Sequence, residues 1–449
     1  MVIGSMPPAR SSAKRAGEVE ARTKEVTPIL WHTCQVNKTT NWVGQNLTLN
    51  IEKVAHGGIF VARHEGRVVF VSHVLPGEKV IAKVYEDRGG AFCRAEPTEI
   101  LEPSIDRVKH FWKQAGPGGA GGAEFGHINL KRQRELKADV LEEALQRMAG
   151  ITLRPEVQAT AGDDENNGLH YRTRIQLHVD EAGVVGPYRE RSHDVVRVRD
   201  LPLAVDEIRE LELQNKNFQD VKKIEVAASN TGQVQWKIDK KLKGDERLIE
   251  RVAGRTFRIS GGGFWQVHKK AAEVLSTAVN AMIADVGIDL EADNLDLYGG
   301  VGLFTGAIAA KFGKELRMTS VESFRQATED ATLNLADLPK VKAVCSATER
   351  FLNEKVGNLD KGGKLSSPKN STVVLDPPRS GAGAKVAQQL IAISPKHIVY
   401  VACDPIALAR DLKEFLAGGY QLRDLKAFDL FPHTHHVEAI ASLVKISDS

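Results

Sequence analysis

The 449-residue chain is poor in cysteine, and its cysteines are scattered. Cys34, Cys93, Cys345 and Cys403 include no C-x-x-C pair, which excludes a dense disulfide framework and a zinc ribbon. No apolar run is long enough to span a bilayer, and the N-terminus lacks a signal-peptide pattern. A cytoplasmic monomer without a membrane partner is therefore expected. An excess of one charge is also missing, since 61 Lys and Arg stand against 58 Asp and Glu, a net charge of +3. That balance permits a polyanionic partner without requiring one, so any nucleic-acid reading must rest on local features. No internal repeat is present.

The length suits two or three domains. Residues 1–40 are polar and charged without apolar periodicity, and a disordered tail is expected there. From Asn41 the runs LTLNIEKVA, IFVARH, RVVFVSHV, EKVIAKVYED and AFCRAEPTEIL are separated by Gly57-Gly58, Glu65-Gly66, Pro76-Gly77 and Gly89-Gly90. Short strands at near-regular spacing predict a small closed barrel of OB type over 41–103. Basic residues alternate with apolar ones in it (Arg63, Arg67, Lys79, Lys83, Arg94), which fits either a solvated face or a polyanion-facing one. Residues 104–258 open on the low-complexity stretch GPGGAGGAEFGH and a helical segment, LKRQRELKADVLEEALQRMAG. They continue with strands (YRTRIQLHVD, VQWKIDKKL) and a helix over AVDEIRELELQN, an α+β middle domain. Over 259–449 the strand-like LDLY, VVLD and IVYVAC alternate with helices such as FTGAIAAKF and RQATEDATLNLA, which predicts a doubly wound, Rossmann-like α/β domain.

Four segments of that last domain carry chemistry. In LDLYGGVGLFTGAIA (295–309) a strand ends at Tyr298, and Gly299, Gly300 and Gly302 turn the chain into a helix. Such a loop is either a cofactor cradle or merely a tight turn. Glu322, ending the next strand, favours the cradle, because a carboxylate there accepts both ribose hydroxyls of an adenosine. The P-loop lysine is absent, which argues against phosphoryl transfer. In VVLDPPRSGAG (373–383) two prolines stiffen the loop after Asp376, and Arg379 is placed to meet a phosphate. In YVACDPIALARDL (400–412) Cys403 stands between an apolar strand and a helix beginning near Pro405. An isolated cysteine is usually core filling, but a helix N-terminus favours thiolate, the nucleophilic form. In FDLFPHTHHVEAIASL (428–443) Glu438 opens an apolar segment. His433, His435 and His436 have no second ligand cluster to complete a metal site. An activated thiol, a base and an adenosyl site are what methylation of uracil C5 requires, since C5 becomes nucleophilic only after a thiolate adds to C6.

These motifs resemble the uracil-C5 RNA methyltransferase family, which makes 5-methyluridine in bacterial tRNA and ribosomal RNA. The resemblance runs from about Asn41 to the C-terminus through GGFWQVH (262–268), DLYGGVGLF (296–304), DPPRSG (376–381), YVACDPIALARDL and FPHTHHVE, in the family's order. It implies a TRAM domain for the barrel, RNA (23S rRNA preferred, or tRNA) as partner, and extrusion of the target base. It implies S-adenosyl-L-methionine as cofactor, bound by Gln266, Tyr298, Glu322 and Asp376, with Cys403 as nucleophile and Glu438 as base. The chain departs from the family at several positions. Gln114, Ala120, Ala123 and Leu201 stand where many ribosomal members place the thiolates of an iron–sulfur cluster, so none is expected. Ala402 replaces the usual serine before the nucleophile, and Leu303 stands where a polar cofactor contact is common. An amino-directed methyltransferase would leave Cys403 and Glu438 unexplained. A non-catalytic RNA-binding or assembly factor would be expected to lose one of them.

Overall fold

A computed structural model describes residues 41–360 and 370–446; the tail expected over 1–40 lies outside the described residues. Strands β1 (Asn46–Ala55), β2 (Ile59–His64), β3 (Arg67–Val71), β4 (Lys79–Asp87) and β5 (Phe92–Glu102) close into a barrel in the order β1-β2-β3-β5-β4. Period-2 alternation drives it: Leu47, Leu49 and Ile51 point inward between exposed neighbours. Cys93 is buried there among apolar side chains, the ordinary fate of a lone cysteine.

Helix α1 (Leu130–Ala144) begins at Asn129, whose side chain accepts from Arg132 N. It is shared between two cores. Leu136 packs into the barrel cluster with Phe125 and Phe60, while Ala138, Leu141 and Ala144 pack into the C-terminal sheet with Leu375 and Tyr400. The short strand β6 (Val157–Ala159) follows and joins the edge of that same sheet.

A middle sheet, ordered β11-β10-β9-β7-β8, comprises β7 (Arg174–Val179), β8 (Val185–Gly186), β9 (Lys223–Ala228), β10 (Val234–Ile238) and β11 (Lys241–Gly244). The helix expected over AVDEIRELELQN shrinks to one turn, α2 (Asp206–Arg209), and a 3₁₀ turn, Leu213–Asn215. Glu212 adopts φ 48°, which ends the helix and lets Leu213 join Ile208 in the sheet's apolar cluster; burial there overrides helix propensity. Ala120, Ala123 and Leu201 are buried in the same cluster. The hairpin of β12 (Arg247–Val252) and β13 (Arg255–Ser260) leads out to α3 (Ala271–Val286).

The C-terminal domain alternates β14 (Asn294–Leu297), α4 (Leu303–Phe312), β15 (Met318–Glu322), α5 (Arg325–Asn334), β16 (Val341–Cys345), α6 (Thr348–Asp360), β17 (Thr372–Leu375), α7 (Gly383–Ile393), β18 (His397–Ala402), α8 (Pro405–Ala417), β19 (Tyr420–Asp429) and β20 (Glu438–Lys445). Its eight-stranded sheet runs β16-β15-β14-β17-β18-β20-β19-β6. It is parallel from β16 to β18, and β20 then inserts antiparallel to both β18 and β19. Helices α7 and α8 cover one face, α3 and α4 the other. The strand order reverses between β14 and β17, so the crevice for a ligand opens at their carboxyl ends.

Candidate active site

The crevice is built on glycines. Tyr298 has φ 63°, Gly300 φ 53° and Gly302 φ 90°, a left-handed path from β14 into α4. A side chain at Gly299 would collide with Ser320 on β15, and one at Gly302 would lie 2.8 Å from Leu335. Gly300 faces open space within the crevice. Glu322 ends β15 beside the loop; its Oε2 accepts from Gly300 N at 3.2 Å and its Oε1 from Phe324 N at 2.7 Å. Asp296 holds the first turn of α4 by accepting from Thr305 Oγ1 at 2.6 Å and Thr305 N at 3.1 Å. Its Oδ1 is buried with no protein partner, and burial pushes the carboxyl up to about 6. Tyr298 is half-buried against the α7–α8 face of the core. Gln266 lies partly exposed on the segment before α3, next to Trp265, which packs with Val301 and Leu303 of the loop. An adenosyl sulfonium fits this crevice. Carboxylates stand at two strand ends, one buried oxygen lacks a partner, and the loop leaves room for a ring.

Cys403, Asp376 and Glu438 come together where three neighbouring strands end. Asp376 follows β17, Cys403 follows β18, and Glu438 opens β20 one rung beyond the Ala402–Ala439 pair. Burial pushes Asp376 up to about 7, with Asp296 adding to the effect. Glu438 is buried and held well above the usual carboxylate range, first by burial, then by Asp376, with Arg379 opposing. Arg379 itself meets His436 at 3.2 Å instead of standing free.

The thiol reverses one expectation. Helix α8 begins at Pro405 as expected, and Asp404 caps it, its Oδ1 accepting from Ala407 N at 2.8 Å. Yet the Cys403 thiol is pushed up to about 12, by burial first and then by Glu438 and Asp376. Two facing carboxylates and the loss of water outweigh a helix terminus that contributes at most a few tenths to about 2 kcal/mol. Burial and the facing carboxylates thus favour the thiol form of Cys403 over the thiolate.

The histidines of 433–436 are structural fasteners. His433 N donates to Gln133 Oε1 at 2.7 Å, and its ring sits between Gln133 Nε2 at 3.1 Å and Asn167 O at 2.7 Å. His435 is bound by Glu124 through ring and backbone. Below them Lys137 of α1 donates to Asp429 at 2.6 Å and to Phe431 O at 3.0 Å, fully buried. Sequence reasoning missed Gln133, Lys137, Glu124, His56 and Asp404. Only Lys137 carried a signal, as a charge on the buried stripe of α1.

The sequence and the topology match known proteins. The model of the tRNA (uracil-5-)-methyltransferase family matches residues 205–446, and the TRAM domain model matches 42–96. The chain belongs to the tRNA (uracil-5-)-methyltransferase family. Membership makes it an S-adenosylmethionine-dependent RNA methyltransferase with a TRAM barrel. An RNA methyltransferase of Streptomyces avermitilis is 38% identical over 89% of this chain and 98% of its own. One of Bifidobacterium longum is 36% identical over 88% and 95%. The structure of a Pyrococcus abyssi tRNA (uracil-54, C5)-methyltransferase with S-adenosyl-L-homocysteine superimposes with a TM-score of 0.67 at 21% identity, covering 88% of this chain and 99% of that one. At that identity the likeness shows the shared fold. Among the described residues, no helix of this uracil-5 methyltransferase is long and apolar enough to cross a membrane.

Proposed function

We propose that this enzyme methylates C5 of one uridine in RNA through a covalent bond between Cys403 and C6, with Glu438 as the base. The convergence of Cys403, Glu438 and Asp376 at the ends of adjacent strands, beside the glycine crevice, carries this reading. Cys403 Sγ loses its proton to solvent and adds to C6, and the C5–C6 π electrons move to leave an enolate that is nucleophilic at C5. S-adenosylmethionine supplies the electrophilic methyl group, and Gln266, Tyr298, Glu322 and Asp376 would hold it. Glu438 then takes the C5 proton, the C5–C6 double bond re-forms, and the C6–S bond breaks to release the thiolate. Glu438 serves as base in its ionised form, and burial, which raises its affinity for a proton, makes that carboxylate a stronger base.

For the RNA we propose large-subunit ribosomal RNA first, on the resemblance to ribosomal members, and tRNA as the alternative. Deleting the gene and mapping 5-methyluridine in both pools decides between them; retention of every 5-methyluridine in both would remove the proposal. Cys403→Ala should abolish methyl transfer while leaving cofactor binding intact. Glu438→Gln should accumulate a covalent enzyme–RNA species on a denaturing gel. Sustained turnover by either variant would rule out this mechanism.

A further inference from the structure

The turn between β1 and β2 of the barrel reaches the nucleophile. Residues 54–58 line the same cavity of about 120 Å³ as Cys403, Asp404, Arg379 and His436. A Cβ added at Gly58 (φ +73°) would lie 2.8 Å from the His435 Cβ, so the turn's backbone lies directly on the histidine segment. Beside it, His56 Nε2 meets Asp404 Oδ2 at 2.8 Å, a bond joining residues 348 positions apart. Asp404 spends its other oxygen on capping α8. One carboxylate therefore ties the barrel to the first turn of the helix that follows the thiol.

We propose that His56 is a positioning residue for the methyl-transfer reaction. Through Asp404 it fixes the strand–helix junction that carries Cys403, making the TRAM barrel a wall of the reaction chamber. This rests on the assignment of Cys403 as nucleophile. The charges around the junction support it. Asp404 is one of the carboxylates that push the thiol up, and His56 is the imidazole bonded to it. The bond to Asp404 raises the imidazole against the opposing effect of burial. Burial would raise Asp404, but the bond to His56 and the amide of Ala407 hold it low. Lys137, Arg379, His435 and His436 face the same cavity, and Glu438 and Asp376 act on the thiol from the sheet.

The arrangement predicts opposite signs for two substitutions. His56→Ala leaves the Asp404 carboxylate unbalanced beside the thiol and disfavours thiolate. Asp404→Asn removes that charge while keeping a good N-cap and favours thiolate. The rate of Cys403 alkylation by iodoacetamide in the full-length protein, followed by peptide mass spectrometry, reads this without any RNA. A partly exposed ion pair predicts a rate about two- to fivefold lower for His56→Ala and higher for Asp404→Asn. The double variant should follow Asp404→Asn, because His56 then has no charge to balance. With RNA, His56→Ala should lower kcat while KM for RNA stays within about twofold, and His56→Gln, which keeps an N–H for Asp404, should restore much of kcat. Unchanged alkylation, or both single variants shifting the same way, would overturn the proposal. So would a His56→Ala enzyme with raised KM and unaltered kcat, since His56 would then serve only to bind RNA. Should His56→Ala fold poorly, His56→Gln, which keeps an N–H for Asp404 but carries no charge, replaces it in the alkylation test, and an unchanged rate there would overturn the proposal. If alkylation shifts as expected but no RNA is methylated, the proposed function fails and the coupling of His56 to the thiol stands.

Discussion

At the scale of single residues, the protonation of the site is the reverse of what a free thiolate enzyme would show. Cys403 is pushed up to about 12 and Glu438 is also raised, both by burial and by carboxylates facing one another. Below its pKa a thiol gains about tenfold in thiolate per pH unit, so Cys403 alkylation should climb steadily from pH 7 to 10 without a plateau. Exposed Cys345 should label first at neutral pH; a Cys403 rate already level at pH 7 would contradict this. The junction between an apolar strand and a helix opening at Pro405, with Cys403 between them, was legible in one dimension. The thiol's pKa was not legible, because Asp376 and Glu438 approach it only through strand pairing.

Elements carry the next set of constraints, and the barrel shows them most clearly. Arg67 donates to Asp87 Oδ1 at 2.6 Å inside the barrel wall, where Trp42 N also donates to Asp87 Oδ2 at 2.9 Å. The bonds from Arg67 first, against burial, hold the Asp87 carboxyl well below its usual range. A depressed carboxylate contributes stability that is present above its unfolded pKa, about 3.9, and is lost as pH falls toward the folded value. Asp87→Asn should therefore cost about 1–3 kcal/mol at pH 7, by removing the charge that Arg67 meets, and the difference from wild type should narrow below about pH 4 in urea titrations. The β1–β2 turn gives a second expectation. Gly58→Ala meets both a positive φ and the His435 side chain, and should lower the melting temperature by about 2 °C for each kcal/mol lost. The strands of the barrel were legible from their alternation and Gly-rich turns, whereas the use of Gly58 was not. A glycine required by a turn and one required by a distant histidine look identical in sequence. The helix foreseen over AVDEIRELELQN failed for a related reason: the pull of Leu213 into the apolar cluster acts across the fold.

At the scale of the whole molecule, α1 belongs to both the barrel core and the core of the C-terminal sheet. Truncating Leu136 should destabilise both together, by about 2–5 kcal/mol for Leu136→Ala. Fluorescence of a variant that keeps Trp42 alone of the five tryptophans and the circular dichroism of the same protein should melt in one coincident transition; two separated transitions would show that α1 does not couple them. The doubly wound domain was legible from its alternating pattern. The assignment of residues 130–159 to that sheet was not, since their partners lie near the C-terminus.

That distance has a consequence in time. Lys137 and Asp429, which make a fully buried ion pair, are 292 residues apart. At about 5–20 residues per second of synthesis, the lysine leaves the ribosome some tens of seconds before its carboxylate exists. Through that interval one face of α1 has a barrel to lie on and the other has nothing. The nascent chain should therefore be a client of holdase chaperones until β19 emerges. Nascent chains stalled before Asp429 should be cleaved by protease within α1, whereas full-length released protein should resist.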